Sequence, residues 1–524
     1  MTLKDDTPVI GKHILSTLTI GMYQDPRMIY REYIQNSADQ IDTLSEDELE
    51  DKLRQTIIID IDDKNRTVSI TDRATGIPQK LFRERLLNVA DSHKDPSKNK
   101  GFRGIGRLAG LNYCQKLIFE SSAVGETTVS RLEMDGSEMI RILHDTSDKS
   151  LAGEVIRRIS KVTYKDDAAK AYDCWFTVIL EDVRTDVGSQ LLDIESVKEF
   201  IAQVAPVPFS NMKFKRGKEI ATEARKAGVR LEEYTVRVNG STITKLYKDI
   251  LSDAHGRELG PAGKLEYRTI EWRGKQLAWG WFCLPDKGLS LPLSTNPERK
   301  IRLRKGNIQI GFDDFLDPYF PEARSNGYML GEVHLLSNEI LPNGDRNALE
   351  VSEEAVALAN CLRSRYFKDL WAAAHKANEL NNAHKAVADY KRKVDEITKL
   401  AEEGVEVGIA SKKTELEKAY EKAVAGQQKL KNATTSSIRG EFVKGVVDVI
   451  AGDNVSERTD LAKPEMVSSV TVARSSKPTS IEKVKTTEVK LKNTIVKVLV
   501  ANGVEAMKAL DLAQKINEEL SATE

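Results

Sequence analysis

The chain has 524 residues, of which 40% are hydrophobic and 30% charged, with a formal net charge of −1 at pH 7. That length exceeds what one hydrophobic core supports and suggests about three domains. Near-zero charge provides no global field toward nucleic acid or an anionic membrane, although a local basic patch stays open.

Cys114, Cys174, Cys283 and Cys361 are scattered without a CxxC pair, which reads as buried, reduced thiols rather than a metal site. The start, Met1-Thr-Leu-Lys-Asp-Asp6, lacks the apolar core of a signal peptide. No apolar run is long enough to cross a bilayer. A cytoplasmic chain without membrane contact is expected.

Two helices are predicted at 10–22 and 26–43. Strands follow at Thr56–Ile61, Thr67–Thr71, Lys116–Glu120, Thr127–Met134 and Cys174–Leu180, rich in β-branched and aromatic residues. The turn Asp62-Asp-Lys-Asn65 suits a hairpin. This pattern predicts an α+β sandwich with a partly antiparallel sheet and helices on one face, spanning 1–190. A helix at 194–204 ends at Ala205-Pro-Val-Pro208, a boundary signal. A second α/β domain is expected over 205–350, with strands at Tyr234–Val238, Leu265–Trp272, Gln276–Cys283 and Gly327–Leu335, and the basic run Arg302–Asn307 between two of them.

Helix formers dominate the region 351–452. Leu380, Ala383, Val387, Tyr390, Val394, Ile397 and Ala401 alternate steps of three and four, a heptad seam interrupted by Gly404 and Gly408. A second helix at 412–431, carrying Leu416, Ala419, Ala423 and Leu430, predicts an antiparallel helical hairpin. Residues 453–488 read as a linker, and 489–524 as a small helical element.

Three motifs carry chemistry. In Tyr30-Arg-Glu-Tyr-Ile-Gln-Asn-Ser-Ala-Asp39, the spacing places Glu32, Asn36 and Asp39 on one helix face. Alone, that is equally a solvated surface helix. In Ser69-Ile-Thr-Asp72-Arg-Ala-Thr-Gly76, a carboxylate closes an apolar strand. It could accept a hydrogen bond from an exocyclic amino group such as adenine's, with Gly76 allowing a flat ring to approach. Alone, it is equally a plain turn. In Lys98-Asn-Lys-Gly101-Phe-Arg-Gly104-Ile-Gly106-Arg-Leu-Ala-Gly110, glycines cluster at the start of a predicted helix, Gly106–Tyr113, where bare backbone N–H groups can cradle phosphates. It is not a P-loop, since no Gly-Lys-Ser/Thr follows.

Together, in this order and spacing, the three resemble the GHKL ATPase superfamily. That superfamily includes the ninety-kilodalton heat-shock chaperone, MutL, the MORC proteins and the ATPase subunits of type II topoisomerases. Its Glu-x-x-x-Asn-x-x-Asp box is matched by Glu32, Asn36 and Asp39. Its Asp-x-Gly-x-Gly box is matched at Asp72 and Gly76, with Ala74 in place of a Gly, which suggests a snugger base pocket. The phosphate box is matched at Gly101, Arg103, Gly104, Ile105 and Gly106. Asn88 and Lys94 resemble the lid residues of the chaperone branch.

The resemblance implies ATP and Mg²⁺ as ligands, with slow hydrolysis to ADP and phosphate. Glu32 would activate water, Asn36 hold the metal, Asp39 support the site and Asp72 read adenine, while residues 88–100 close as a lid. A basic residue of a transducer-like second domain would reach the terminal phosphate. Lys305 and Arg304 are the candidates, unless their run is a charged strand edge. Asn343-Gly-Asp-Arg-Asn347 is a further polar cluster, or a turn. An ATP-dependent homodimer acting as a chaperone-like clamp on a protein client is the leading expectation. The alternatives are a MutL- or MORC-like DNA-associated ATPase, or a nucleotide-sensing component of a multi-protein system such as bacterial defence. A histidine kinase is disfavoured: no phospho-accepting His lies in a dimerising helix ahead of the ATP region, and His13 is too close to the first helix.

Overall fold

The computed structural model describes residues 9–19, 21, 23, 25–89, 104–167, 173–252, 255–256, 258–284, 296–402, 406–435, 461–464, 480–501 and 504–521. The chain divides into one compact unit of residues 1–284 and 292–368 and a second of 369–524 with 285–291.

In the first unit, α1 (His13–Thr19) and α2 (Met28–Ile41) precede the hairpin β1 (Thr56–Asp62) and β2 (Thr67–Asp72). Asp62 shapes that turn, its Oδ1 accepting from the amides of Lys64 and Asn65 at 3.1 and 3.0 Å. Next come α3 (Gln79–Leu87), β3 (Cys114–Ser122), β4 (Thr128–Asp135), α4 (Gly136–His144), α5 (Ala152–Ile159), β5 (Ser160–Asp166) and β6 (Trp175–Val183). They are followed by α6 (Thr185–Gly188), α7 (Ile194–Val204), α8 (Gly217–Lys226), β7 (Thr235–Val238) and β8 (Ser241–Ile243). The strands form one sheet in the order β5-β4-β3-β6-β2-β1-β7-β8, antiparallel except where β1 meets β7.

The sheet's two faces differ, as the period of two requires. In β2, Val68, Ile70 and Asp72 are buried while Thr67, Ser69 and Thr71 are only half-buried. Ile57, Ile59 and Ile61 of β1 extend the buried face and join Ile29, Tyr30 and Ile34 of α2 in one core. Burying this apolar face against helices is what makes the layer stable.

A second mixed sheet occupies the rest of this unit, in the order β11 (Leu265–Trp272), β12 (Lys275–Cys283), β15 (Leu330–Leu335), β13 (Lys300–Lys305) and β14 (Ile308–Ile310). A two-stranded ribbon, β9 (Ile250–Ser252) with β10 (Glu258–Pro261), accompanies it. α9 (Glu353–Cys361) closes the unit, with the Ser352 hydroxyl capping it by accepting from the Ala355 amide at 3.1 Å.

Several expectations shift. The first two helices are shorter than 10–22 and 26–43. α3, α4, α5 and β5 were not anticipated; α4 and α5 are short, and side-chain caps (Asp135, Glu154) rather than long periodicity mark their starts. The strand expected at Tyr234–Val238 belongs to the first sheet, not the second, because β7 pairs with β1. Arg302–Asn307, expected between two strands, is itself mostly a strand: it belongs to β13, which lies between β15 and β14 inside the second sheet rather than at its edge. The strand expected from Gly327 begins at Leu330, after a 3-10 turn over Ala323–Tyr328.

The second unit is helical. α10 (Phe367–Glu402) and α11 (Glu406–Thr435) pack Val387, Tyr390 and Ile397 against Leu416, Ala419 and Ala423. Lys429 lies 3.6 Å from Glu379, the Tyr390 and Tyr420 rings are 5.3 Å apart, and Gly426 abuts Ala383, so the two helices run antiparallel. Gly408 lies inside α11 rather than breaking it, while Gly404 is outside the described residues. α12 (Ser480–Ala501) and α13 (Ala506–Ser521) form a small separate core around Val496, Ala509, Leu510 and Ala513. α12 starts within the segment expected to be a linker to 488. Among the described residues no helix is long and apolar enough to cross a membrane.

Candidate active site

α2 is the site's backbone. It is buried on nearly every side, with only Asn36 and Gln40 half-exposed among its 14 residues. A solvated surface helix is thereby excluded, and burial of Glu32 and Asp39 needs a reason. Glu32 is 7% and Asp39 1% exposed. Asn36 lies between them with a half-exposed amide.

Two contacts fix the Glu32 carboxylate. Its Oε1 lies 3.2 Å from Arg31 Nη2, a guanidinium that is itself only 1% exposed. Its Oε2 lies against Gly106, where a Cβ would come within 2.6 Å of it. Gly106 therefore leaves the room that this carboxylate occupies. The segment Gly106–Asn112 is a 3-10 helix rather than the expected α-helix, and Gly104 ahead of it takes a left-handed φ of 69°. Tyr33 staples this segment to α2: its hydroxyl accepts from the Gly110 amide at 2.9 Å and donates to the Arg107 carbonyl at 3.1 Å. Ile105 and Gly106 thus sit beside Glu32 on a fixed support. Asn88 closes α3, and its carbonyl accepts from Arg107. Lys94, Gly101 and Arg103 lie outside the described residues.

Asp72 ends β2 on the buried face. Its Oδ1 accepts from the Ala74 amide at 3.2 Å, and its Oδ2, fully enclosed, has no hydrogen-bond partner among the described residues. Burial pushes its pKa up to about 6, against the opposing hydrogen bonds from Ser37 and Ala74. An enclosed acceptor with nothing to accept from is costly unless a ligand supplies the donor. An exocyclic amine is such a donor, so the residue fits the base of ATP.

The loop after Asp72 is braced. Thr75 Oγ1 donates to Gln40 Oε1 at 3.1 Å, and Arg54 donates to the Ala74 carbonyl at 2.6 Å. Ala74 is fully buried in the core. Gly76 has φ 65°, and a Cβ there would sit 2.1 Å from the Ser122 carbonyl oxygen. Its requirement for glycine is thus met inside the protein, by β3, independently of any ring.

The second sheet contributes differently from expectation. Arg304 is buried in an ion pair with Glu332 at 2.6 Å and donates to the carbonyls of Asn307 and Gln203. Lys305 Nζ donates to the Ser337 and Ile340 carbonyls, both at 2.8 Å, and burial, with Arg346 nearby, lowers its pKa to about 8. Both candidates are thus engaged in holding their own sheet. The turn Asn343–Asn347 instead reaches α2: Arg31 donates to the Asp345 carbonyl at 2.9 Å. Tyr23, Met28, Arg31, Gly311, Asp345 and Arg346 line a small cleft there. Sequence reasoning passed over Arg31, Tyr33 and Ser37, which sit beside or between the motif positions. It left the 343–347 cluster open because its distance in sequence hides its proximity.

Among the described residues no cluster of His, Cys, Asp and Glu suited to a bound metal occurs. A metal here would therefore rely on ligand oxygens, with Asn36 the oxygen donor placed on the same helix as Glu32.

No curated protein matches the chain. Residues 29–158 match the family described as Histidine kinase-, DNA gyrase B-, and HSP90-like ATPase, from the second residue of α2 through α5. The match spans all three motifs, and with the enclosed Asp72 and the Glu32–Gly106 contact it leads to one conclusion: residues 29–158 are a GHKL-type ATPase domain.

Proposed function

We propose that the protein hydrolyses ATP with Mg²⁺ and uses the nucleotide to clamp two copies of itself together, in the manner of a chaperone-like ATPase. Glu32 orients and deprotonates the attacking water, Asn36 supplies a metal ligand, Asp72 accepts from the adenine amine and Asp39 supports the helix. Gly104, Ile105 and Gly106, with Gly101, Arg103, Lys94 and Asn88 of the preceding segment, surround the phosphates. The observation that carries the reading is the buried Glu32 carboxylate, lodged against Gly106 and linked through Arg31 to the 343–347 turn. That link supports Arg346, rather than Lys305 or Arg304, as the cation that the second sheet brings toward the terminal phosphate.

Glu32→Ala tests the chemistry. Nucleotide affinity should stay within a few-fold, while turnover falls about 10²–10⁴-fold; a variant that turns over normally removes Glu32 from its role. Solution mass with and without a non-hydrolysable ATP analogue tests the clamp. A mass and shape indifferent to the analogue would sink it.

A further inference from the structure

The segment between α7 and β7 is strongly basic. Residues 211–230 hold seven cations, four Lys and three Arg, against two carboxylates, in a chain of net charge −1. Lys215, Lys218, Thr222 and Arg225 follow steps of three, four and three, which aligns them along one face of α8 and the turn before it. All four are exposed, while Ile220 and Ala224 on the other side are fully buried.

Some surface cations elsewhere are neutralised in place, as in Arg141 with Glu138, Arg158 with Asp148 and Lys198 with Glu195. On this face they are not. Among the described residues, no carboxylate lies within 4.0 Å of the side-chain nitrogens of Lys213, Lys215, Lys218 or Arg225. The two glutamates of α8 are occupied on its flank, Glu223 by Lys226 at 2.7 Å and Glu219 by the Tyr267 hydroxyl at 2.9 Å.

The support is rigid. Phe214 packs among Phe209, Tyr247 and Trp281, with ring centroids 5.6 to 6.1 Å away. Gly217 is pressed against Phe209, where a Cβ would approach to 2.5 Å. Asp249 ties the approach to α8 from both sides, donating its amide to the Lys213 carbonyl at 2.8 Å and accepting from the Lys215 amide at 3.0 Å. Ordering the cations on such a base lowers the entropy lost on binding.

We infer that this face docks the phosphate backbone of a nucleic acid. The row spans about 15 Å, the rise of ten helical residues, or roughly four phosphate steps of about 3.4 Å each measured along a duplex axis. An anionic membrane is the poorer fit: a helix lying in a bilayer surface inserts an apolar face, and here that face is buried in the protein, with Met212 the exposed exception. The inference goes beyond the ATPase reading and does not depend on it.

Fluorescence anisotropy of the full chain with a short labelled duplex, over a salt series, tests it. The duplex should bind at low salt, with log K falling linearly against log salt. Replacing Lys215, Lys218 and Arg225 together by Ala should weaken binding by roughly 10-fold or more and reduce the salt slope by about 3, one for each lost phosphate contact. ATP turnover without nucleic acid and the melting midpoint should stay as in the parent. No binding to the duplex at low salt overturns the inference. So does a triple variant with the parent's affinity and slope, or retention on phosphatidylserine vesicles without retention on the duplex.

Discussion

Arg31 holds its neighbour Glu32 with the same nitrogen that it uses to reach the turn of the second sheet: Nη2 lies 3.2 Å from the Glu32 carboxylate and 2.9 Å from the Asp345 carbonyl. Removing one partner of so enclosed a pair leaves the other charge uncompensated, at a cost of about 3–5 kcal/mol. Arg31→Met should therefore melt earlier than the parent and lower kcat by roughly 10-fold, with ATP affinity changed only a few-fold. Arg31→Lys restores the charge without the planar fork, so it should recover stability more fully than rate. Calorimetry and steady-state kinetics on both variants decide this; a kcat unaltered in Arg31→Met would show the contact to be packing alone.

Asp72 makes the empty protein sensitive to pH. Burial raises its pKa from 3.8 to about 6. Between those values the folded chain holds a proton that the unfolded chain has released, so stability falls as pH rises through this window and the loss is complete above it. Asp72→Asn should stabilise the nucleotide-free protein at pH 7 by up to about 3 kcal/mol and leave it nearly unchanged at pH 4. The same variant should lose at least about 10-fold in ATP affinity, since the Ala74 amide holds the new amide oxygen and the NH2, a donor, then faces the ligand's own donor. Denaturant titrations at the two pH values and a nucleotide-binding isotherm report both effects. A stability difference equal at pH 4 and pH 7 would contradict the assignment.

Gly76 and Gly125 separate strain from contact. Both have positive φ, 65° and 80°, but a Cβ meets the Ser122 carbonyl at the first and nothing within 4 Å at the second. Gly125→Ala should cost about 1–2 kcal/mol from backbone conformation alone. Gly76→Ala should cost distinctly more, because β3 must also shift, and it should impair nucleotide binding. Equal melting losses in the two variants would mean that β3 yields freely.

The motif residues were legible because the helical period and the strand end are local properties: Glu32, Asn36, Asp39 and Asp72 needed no tertiary information. The coarse α+β architecture was legible from alternating β-branched runs. Partners distant in sequence were not. Nothing in Tyr234–Val238 tells that it pairs in parallel with β1 rather than joining the strands nearest to it. Lys305 looked available because a basic run is blind to the carbonyls of Ser337 and Ile340 that engage it. The close approach of β3 to Gly76 was likewise invisible, since the Ser122 carbonyl that demands a glycine lies 46 residues away.

The second sheet is pinned to the first through a buried ionic cluster. Glu332 meets Arg304 at 2.6 Å, Lys245 at 2.7 Å and His334 at 3.2 Å. Burial raises its pKa, but Arg304 and Lys245 outweigh that and hold the carboxyl well below the usual range. Glu332→Gln would leave two cations facing each other and should destabilise the protein by about 3–5 kcal/mol. Lys245→Met leaves Glu332 paired with Arg304 and should cost less. Chemical denaturation ranks the two variants, and the reverse order would refute this account of the cluster.

The pairing of β7 with β1 has a consequence for anyone who wishes to excise the ATPase domain. Cutting the chain near residue 190, where the sequence alone predicts the first domain to end, would strip β7 and β8 from the sheet and bare the β1 edge. Thr56–Ile59 would then present unpaired amides and carbonyls along an isoleucine-rich strand, a template for edge-to-edge association. Such a fragment would also lack the Asp345 carbonyl that Arg31 grips. The catalytic domain is therefore not a portable module, and a usable fragment must extend at least to Lys368.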